Sequence, residues 1–362
     1  MANVEWGEYR IGNLFESSNG DFDIQKNHIN NKGEYVITSG LTNNGVLGKT
    51  DVKAKIFNKG TITIDMFGCA FYRNYDYKMV THARVFFLKP NIDISENQCM
   101  FLSISLQYLK NYFGYENMCS WSRIKDMTIK LPTKNNQIDF NFMESFVSEL
   151  KAQRVAELEA YLIASGLDDY ELSNDEKQVI EQFRSGNIDF FEFEFKDIFE
   201  NIKQGRRLKK NDQIPGTIPF VMSGTTNNGV VGHISNPVAQ FPKNSITIDI
   251  FGNTFYRNYD YGAGDDTGVY WSNEEYIKEI MLFFTTAMAK AVHNKFSYGK
   301  KLRSSQSLNF KMLLPRLNDE PDYEKMKNLI TAIQKMVIKD VVLYTDRKTQ
   351  ETKDIIFVNT SK

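Results

Sequence analysis

Arg73 and Arg257 occupy the same heptapeptide, Phe-Tyr-Arg-Asn-Tyr-Asp-Tyr, at 71–77 and again at 255–261. In each copy a guanidinium and the amide after it, Asn74 or Asn258, interrupt an aromatic run. Such a group can reach a phosphate or a base edge from a rigid aromatic base. Asn43-Asn44 and Asn227-Asn228 add a second duplicated pair of amides, suited to adenine edges or to backbone contacts. Two basic segments lie in the second half: 203–210, with Arg206, Arg207, Lys209 and Lys210, and 298–305, with Lys300, Lys301 and Arg303. Together with Arg257 they can form a face that neutralises several phosphates. The competing reading makes the aromatics core residues and the arginines partners in structural salt bridges.

Catalytic chemistry is less well supported. The sequence has no G-x-S-x-G, phosphate loop, H-E-x-x-H or dinucleotide fingerprint, and no Asn-Pro-Pro-aromatic run of the kind found beside a flipped base. Asp65 and Asp249 are duplicated acids, for which a polar position at a strand end is the simpler expectation. Cys69, Cys99 and Cys119 lack C-x-x-C spacing and the four histidines are scattered, so neither a zinc site nor a disulfide framework is indicated. With a net charge of -1, any affinity for nucleic acid must come from a local basic face. No secretory signal and no window of eighteen uninterrupted apolar residues is seen, which makes a cytoplasmic protein with no membrane partner the expectation.

The elements that position these residues come in duplicate. Ser-Gly-Leu-Thr-Asn-Asn-Gly-Val-Leu-Gly at 39–48 matches Ser-Gly-Thr-Thr-Asn-Asn-Gly-Val-Val-Gly at 223–232, an offset of 184. The blocks starting at Thr61 and Ser245, which run through the heptapeptides, keep the same offset. The chain is therefore two copies of one unit of domain size. Thr-Ile-Thr-Ile-Asp and Ser-Ile-Thr-Ile-Asp alternate β-branched and polar residues as strands do. The Asn-Asn-Gly triplets read as tight turns. Helical stretches around 99–111 and 274–294 complete an α+β class.

Each globular part ends at a Leu-Pro and leads into a long helical pattern. Met143, Phe146, Leu150, Val155, Leu158 and Leu162 form one apolar stripe, and Met326, Ile330, Ile333, Val337, Val341 and Tyr344 the other. The expected organisation is a domain at 1–138, a helix at 139–165 ended by Gly166, an acidic linker at 166–189, a second domain at 190–317, a helix at 318–350 and a tail at 351–362. The linker is read as a solvated connector or as a docking site for another subunit.

This order of globular unit, long helix, globular unit and long helix resembles the DNA specificity subunits of type I restriction-modification systems and the related type IIB subunits. The paired blocks, the two Leu-Pro steps and the central segment 149–172 carry the resemblance, over nearly the whole chain. It implies two mixed α/β target-recognition domains held apart by two helices in an antiparallel coiled coil, each domain reading half of a split target on double-stranded DNA. It also implies that the helices dock modification subunits, with a restriction subunit as a further candidate partner. S-adenosylmethionine belongs to the modification subunits, so this chain binds no cofactor and is itself non-enzymatic. A helix of roughly 40 Å sets the half-site centres on the order of 10 to 12 base pairs apart.

Because the halves of such a target differ, positions where the copies diverge are the expected base readers. Thr81-His82 lies opposite Asp265-Asp266, Cys69-Ala70 opposite Asn253-Thr254, and 21–29 opposite 205–213. Arg206 or Arg207 suits guanine, and Asp265 or Asp266 the amino group of cytosine. Two other classes stay open. A duplicated carbohydrate- or RNA-binding module would use the aromatics for stacking, and a carboxylate-dependent nuclease would need Asp65 and Asp249.

Overall fold

The computed structural model describes the backbone of residues 4–238 and 240–360, and side chains in that range as far as residue 351. The chain divides into two compact units. One comprises residues up to 158 with those from 348 onward, and the other residues 159–347.

In the first unit Thr61–Ile64 is an inner strand of a four-stranded antiparallel sheet, between Ala70–Arg73 and Phe86–Pro90, with Phe15–Asn19 at the far edge. A second sheet pairs Glu34–Ile37 antiparallel with Val46–Thr50 and parallel with Tyr77–Met79. A third joins Glu5–Arg10, Thr128–Lys134 and Gln137–Ile138. The helix Glu96–Ser105 starts at a capping box made by Ser95 and Gln98. It places Leu102 in one core with Ile62, Ile64, Leu88, Ile129 and Met143. Each such buried aliphatic contributes about 1.5–3 kcal/mol.

The second unit repeats this plan. Ser245–Asp249 lies between Thr254–Arg257 and Thr267–Trp271, with Asn201–Gln204 outermost. Pro215–Val221 pairs antiparallel with Val230–Ile234 and parallel with Tyr261–Ala263. Phe190–Glu194 pairs with Lys311–Leu317. The helix Lys278–Val292 packs Phe284, Met288 and Val292 against Ile246, Ile248 and Leu314. The mixed α/β character of both repeats is as expected.

The alternation of β-branched and polar residues marks the duplicated strands, yet both of their faces are buried. Thr61 and Thr63 are as enclosed as Ile62 and Ile64, because their hydroxyls bind groups that are themselves buried. The Leu-Pro steps are structural joints. Pro132 and Pro315 accept from the backbone N–H of Asp139 and Asp322 at 2.9 and 2.8 Å. Those aspartates then cap the long helices, accepting from Phe142 N and Lys325 N at 2.9 Å each.

The helix Phe140–Ala164 ends where Gly166 adopts φ +63°, with Leu167 N–H on Leu162 O at 2.8 Å and Gly166 N–H on Ile163 O at 3.0 Å. This is a Schellman stop, as the glycine predicts. The C-terminal helix, Tyr323–Thr360, runs past the expected end at 350 through most of the expected tail; residues 361 and 362 lie outside the described ones.

Two expectations need correction. The acidic segment 166–189 is no free linker. It contains the helix Asn174–Arg184, and Val179, Ile180 and Ile188 are buried with Leu329 and Ala332 of the C-terminal helix. Lys335 Nζ meets Asp169 at 2.6 Å and Glu176 at 3.2 Å, so the acids that suggested solvation have a cation to bind. The C-terminal stripe is also rotated from the expected one. Met326, Leu329, Ala332 and Val342 are the buried apolar residues, while Ile333, Val337 and Val341 are exposed and Ile330 is half-buried. The helix carries two apolar stripes, and spacing alone selected the outer one. On the central helix Met143 and Leu162 are buried, Val155 and Leu158 half-buried, and Phe146 and Leu150 exposed.

Candidate nucleic-acid interface

The duplicated arginines are the largest fully buried side chains described, each 1% exposed. Arg73 donates from Nε to Thr63 Oγ1 (2.9 Å), from Nη1 to Tyr75 OH (3.2 Å) and from Nη2 to Asn44 O (2.8 Å). Arg257 repeats the set on Thr247 Oγ1 (3.1 Å), Tyr259 OH (3.2 Å) and Asn228 O (2.7 Å). Each guanidinium also lies 5.2 Å from the ring of Phe71 or Phe255. Burial lowers the basicity of Arg73, and the neighbouring Tyr75 chiefly opposes that shift. These arginines therefore do not face DNA, contrary to the sequence reading.

Their task is to hold the Asn-Asn turns. Asn43, Asn44, Asn227 and Asn228 all have φ between +48° and +52°, which asparagine tolerates far better than most residues. The next residue, Gly45 or Gly229, has φ +75° or +81°, and a Cβ there would lie 2.6 Å from the carbonyl of Thr38 or Met222. With the backbone fixed in this way, the side chains of all four asparagines are exposed, as are Asn74 and Asn258.

Asp65 and Asp249 tie a second loop to the first. Asp65 Oδ1 accepts from Phe67 N and Cys69 N, and Oδ2 from Gly40 N at 2.8 Å. Asp249 does the same with Phe251 N, Asn253 N and Gly224 N, and adds Asn253 Nδ2 at 2.8 Å. Both carboxylates are buried and spent on backbone N–H groups. Asn253, expected as a base reader, is likewise committed to this brace. Burial first, and the Asp65 carboxylate second, push the Cys69 thiol up to about 11.

The divergent segments do meet in space, within each unit. In the first, Asp23 Oδ1 accepts from Thr81 Oγ1 and His82 N at 3.1 Å each and lies 2.5 Å from His82 Nδ1. His82 holds the Asp23 carboxyl below its usual range. In the second, Arg206 N–H bonds Ala263 O at 2.8 Å, and Arg207, Lys209 and Lys210 share a groove of about 540 Å³ with Asp265. Asp266 is a loop former instead, accepting from Ser223 N at 3.0 Å.

The two basic segments of the second unit are joined. Gln204 Nε2 donates to Asp265 O (3.1 Å) while its Oε1 accepts from Ser304 N (2.9 Å), and Arg303 donates to the same Asp265 carbonyl. Arg206, Arg207, Lys209, Lys210, Lys300 and Lys301 are all exposed. Where the second unit has Lys209, Lys210, Lys300 and Lys301, the first has Gln25, Lys26, Asn117 and Met118. Sequence reasoning missed Tyr115 and Tyr298, which are 75% and 82% exposed on the turns preceding Cys119 and Leu302. Beyond the helix Lys278–Val292 the repeat offset falls to 183, and carrying that shift back from the Leu-Pro steps would have paired them.

Comparison with known proteins adds to this geometry. Residues 3–160 and 187–343 each match the family described as the type I restriction modification DNA specificity domain. The chain is 24% identical over 351 residues to the specificity subunit of the type II restriction enzyme BgcI from Heyndrickxia coagulans, covering 92% of this chain and 96% of that protein. It is 31% identical over 164 residues to a putative type I specificity subunit of Mycoplasma pneumoniae, covering 43% of this chain and 66% of that one. The fold is similar to a crystal structure of the S subunit of a type I restriction-modification system from M. genitalium, with a TM-score of 0.63 at 16% identity, over 100% of this chain and 96% of that one.

Proposed function

The chain belongs to the type I restriction modification DNA specificity domain family, and from that premise we propose that each repeat reads one half of a bipartite DNA target. It is a specificity subunit, and its work is recognition, not catalysis. The observation that carries the proposal is the contrast between frame and rim. Arg73 and Arg257, Asp65 and Asp249, and Tyr77 and Tyr261 are shared by the copies and buried. The exposed segments around them differ, as Asp23 with His82 differs from Arg207 with Asp265. One frame holding two different rims is what two different half-sites require.

The two long helices form an antiparallel coiled coil in this reading, which turns a tandem repeat into a pseudo-two-fold molecule presenting equivalent faces to one duplex. The 25-residue central helix then spaces the half-site centres on the order of 10 to 12 base pairs apart. Ile333, Met336, Val337 and Val341 leave an exposed apolar stripe on the C-terminal helix, which suits the docking of a modification subunit. That partner would bind S-adenosylmethionine and methylate adenine, in the cytoplasm. No described helix is long and apolar enough to cross a membrane.

Co-expression with the neighbouring modification subunit, followed by sequencing of methylated adenines, tests the proposal. A split motif is expected. An assembled, soluble complex that adds no methylation, or half-sites much less than a helical turn apart, would refute it.

A further inference from the structure

Tyr115 and Tyr298 are the two most exposed of the large apolar side chains described. They occupy equivalent positions on equivalent devices. Gly114 and Asn117 exchange both backbone N–H···O bonds at 3.2 Å, which places Tyr115 first in a two-residue turn. Ser297 and Lys300 exchange theirs at 3.1 and 3.0 Å, which places Tyr298 first in the same turn. Each turn is pinned at its base by one bond to the loop beside the buried aspartate, Cys119 N–H to Met66 O at 2.8 Å and Leu302 N–H to Ile250 O at 3.0 Å. Each ring also has one neighbour: Tyr115 makes an edge contact with Phe67 at 5.0 Å, and Lys301 Nζ lies over one face of the Tyr298 ring at 4.6 Å, leaving the other face open.

Such a ring adds little to the fold, since most of its surface stays in water. The residues after it diverge completely, Glu116-Asn117-Met118 against Gly299-Lys300-Lys301, yet the tyrosine is kept in both copies. An exposed aromatic on a pinned turn is the equipment for stacking on a nucleobase. Bases stacked inside a duplex bury their π-faces, but turning one out for methylation opens a π-face beside it, and any base offers one, so one residue type serves two half-sites of different sequence. Resting on the DNA-recognition reading above, we infer that Tyr115 and Tyr298 are paired, sequence-tolerant DNA contacts, each stacking on the π-face opened where a base of its own repeat's half-site is turned out of the duplex for methylation.

The test uses the full chain assembled with its modification subunit and a fluorescein-labelled duplex carrying the mapped target. Tyr115→Ala and Tyr298→Ala should each weaken binding roughly 5- to 150-fold. The slope of log affinity against log salt should stay unchanged, because no cation is lost. Tyr→Phe at either position should restore affinity and Tyr→Leu should not, while thermal melting stays as in the wild type. Alanine variants that bind like the wild type, or leucine that rescues as well as phenylalanine, overturn the inference and leave the recognition reading standing. A wild-type complex that does not distinguish its target from an unrelated duplex overturns both.

Discussion

Arg73→Ala separates a structural guanidinium from a DNA-binding one. The side chain makes three bonds, to Thr63, Tyr75 and Asn44, and is 1% exposed. Hydrogen bonds to a charged group contribute about 1.5 kcal/mol each at the lower end of their range, giving about 4–5 kcal/mol for the set. Removing the arginine also removes the cost of burying its charge, which offsets part of this, so a net loss of about 3 kcal/mol is expected. Against a domain stability of about 5–15 kcal/mol that is a large fraction. With a urea dependence of about 1–3 kcal/mol per M, the unfolding midpoint of the affected repeat should fall by about 1–3 M. Arg73→Lys should recover little, because an ammonium cannot aim donors at three acceptors arranged around a planar fork. Arg257→Ala should shift the transition of the other repeat by a similar amount. The assay is urea unfolding followed by circular dichroism, where two units permit two transitions. If Arg73→Ala keeps its midpoint but loses about 0.9 from the salt slope of DNA binding, the guanidinium is on a phosphate and this reasoning is wrong.

The basic rim of the second repeat gives a quantitative contrast with the first. Replacing Lys209, Lys210, Lys300 and Lys301 with alanine should flatten the salt dependence by up to about 3.6 for four phosphate contacts, measured by anisotropy, and the slope after Lys26→Ala in the first repeat should change by at most about 0.9. Val337, 74% exposed, should tolerate Val337→Glu without loss of folding while blocking assembly with the modification subunit, as read by size-exclusion chromatography. A complex that forms as before would remove this stripe from the docking surface.

Much of the fold was legible because local signals agreed. The Asn-Asn-Gly turns, the stop at Gly166 and the two repeats follow from residue types with few conformational alternatives. The misreadings share a cause: burial depends on what covers a face, and a sequence shows the face without its cover. The linker looked solvated because polar residues outnumber Val179, Ile180 and Ile188, and it takes Leu329 and Ala332, more than a hundred residues away, with Leu172 and Phe283 packed against them, to make those three a core. The C-terminal stripe was misassigned for the same reason. Asp266 and Asn253 looked like readers because they differ between copies, but differing residues can brace a loop as well as read a base.

Identity between the repeats therefore carries a meaning that depends on exposure. In the heptapeptide, Arg73 and Tyr77 are internal and Asp76 fixes the Lys59 turn through a 2.8 Å bond to its N–H. Sameness there reflects one frame built twice, and selection for packing suffices to explain it. That account fails for a shared residue left in water, since nothing in the fold rewards keeping it. Asn43, Asn44 and Asn74 are exposed, but the positive φ of the first two already explains them. Tyr115 and Tyr298 have no such requirement, because an ordinary polar residue would serve in either turn. A shared residue that neither packing nor backbone demands points to something outside the chain, and on the reading that each repeat contacts one half of a DNA target, the DNA is the partner both turns have in common.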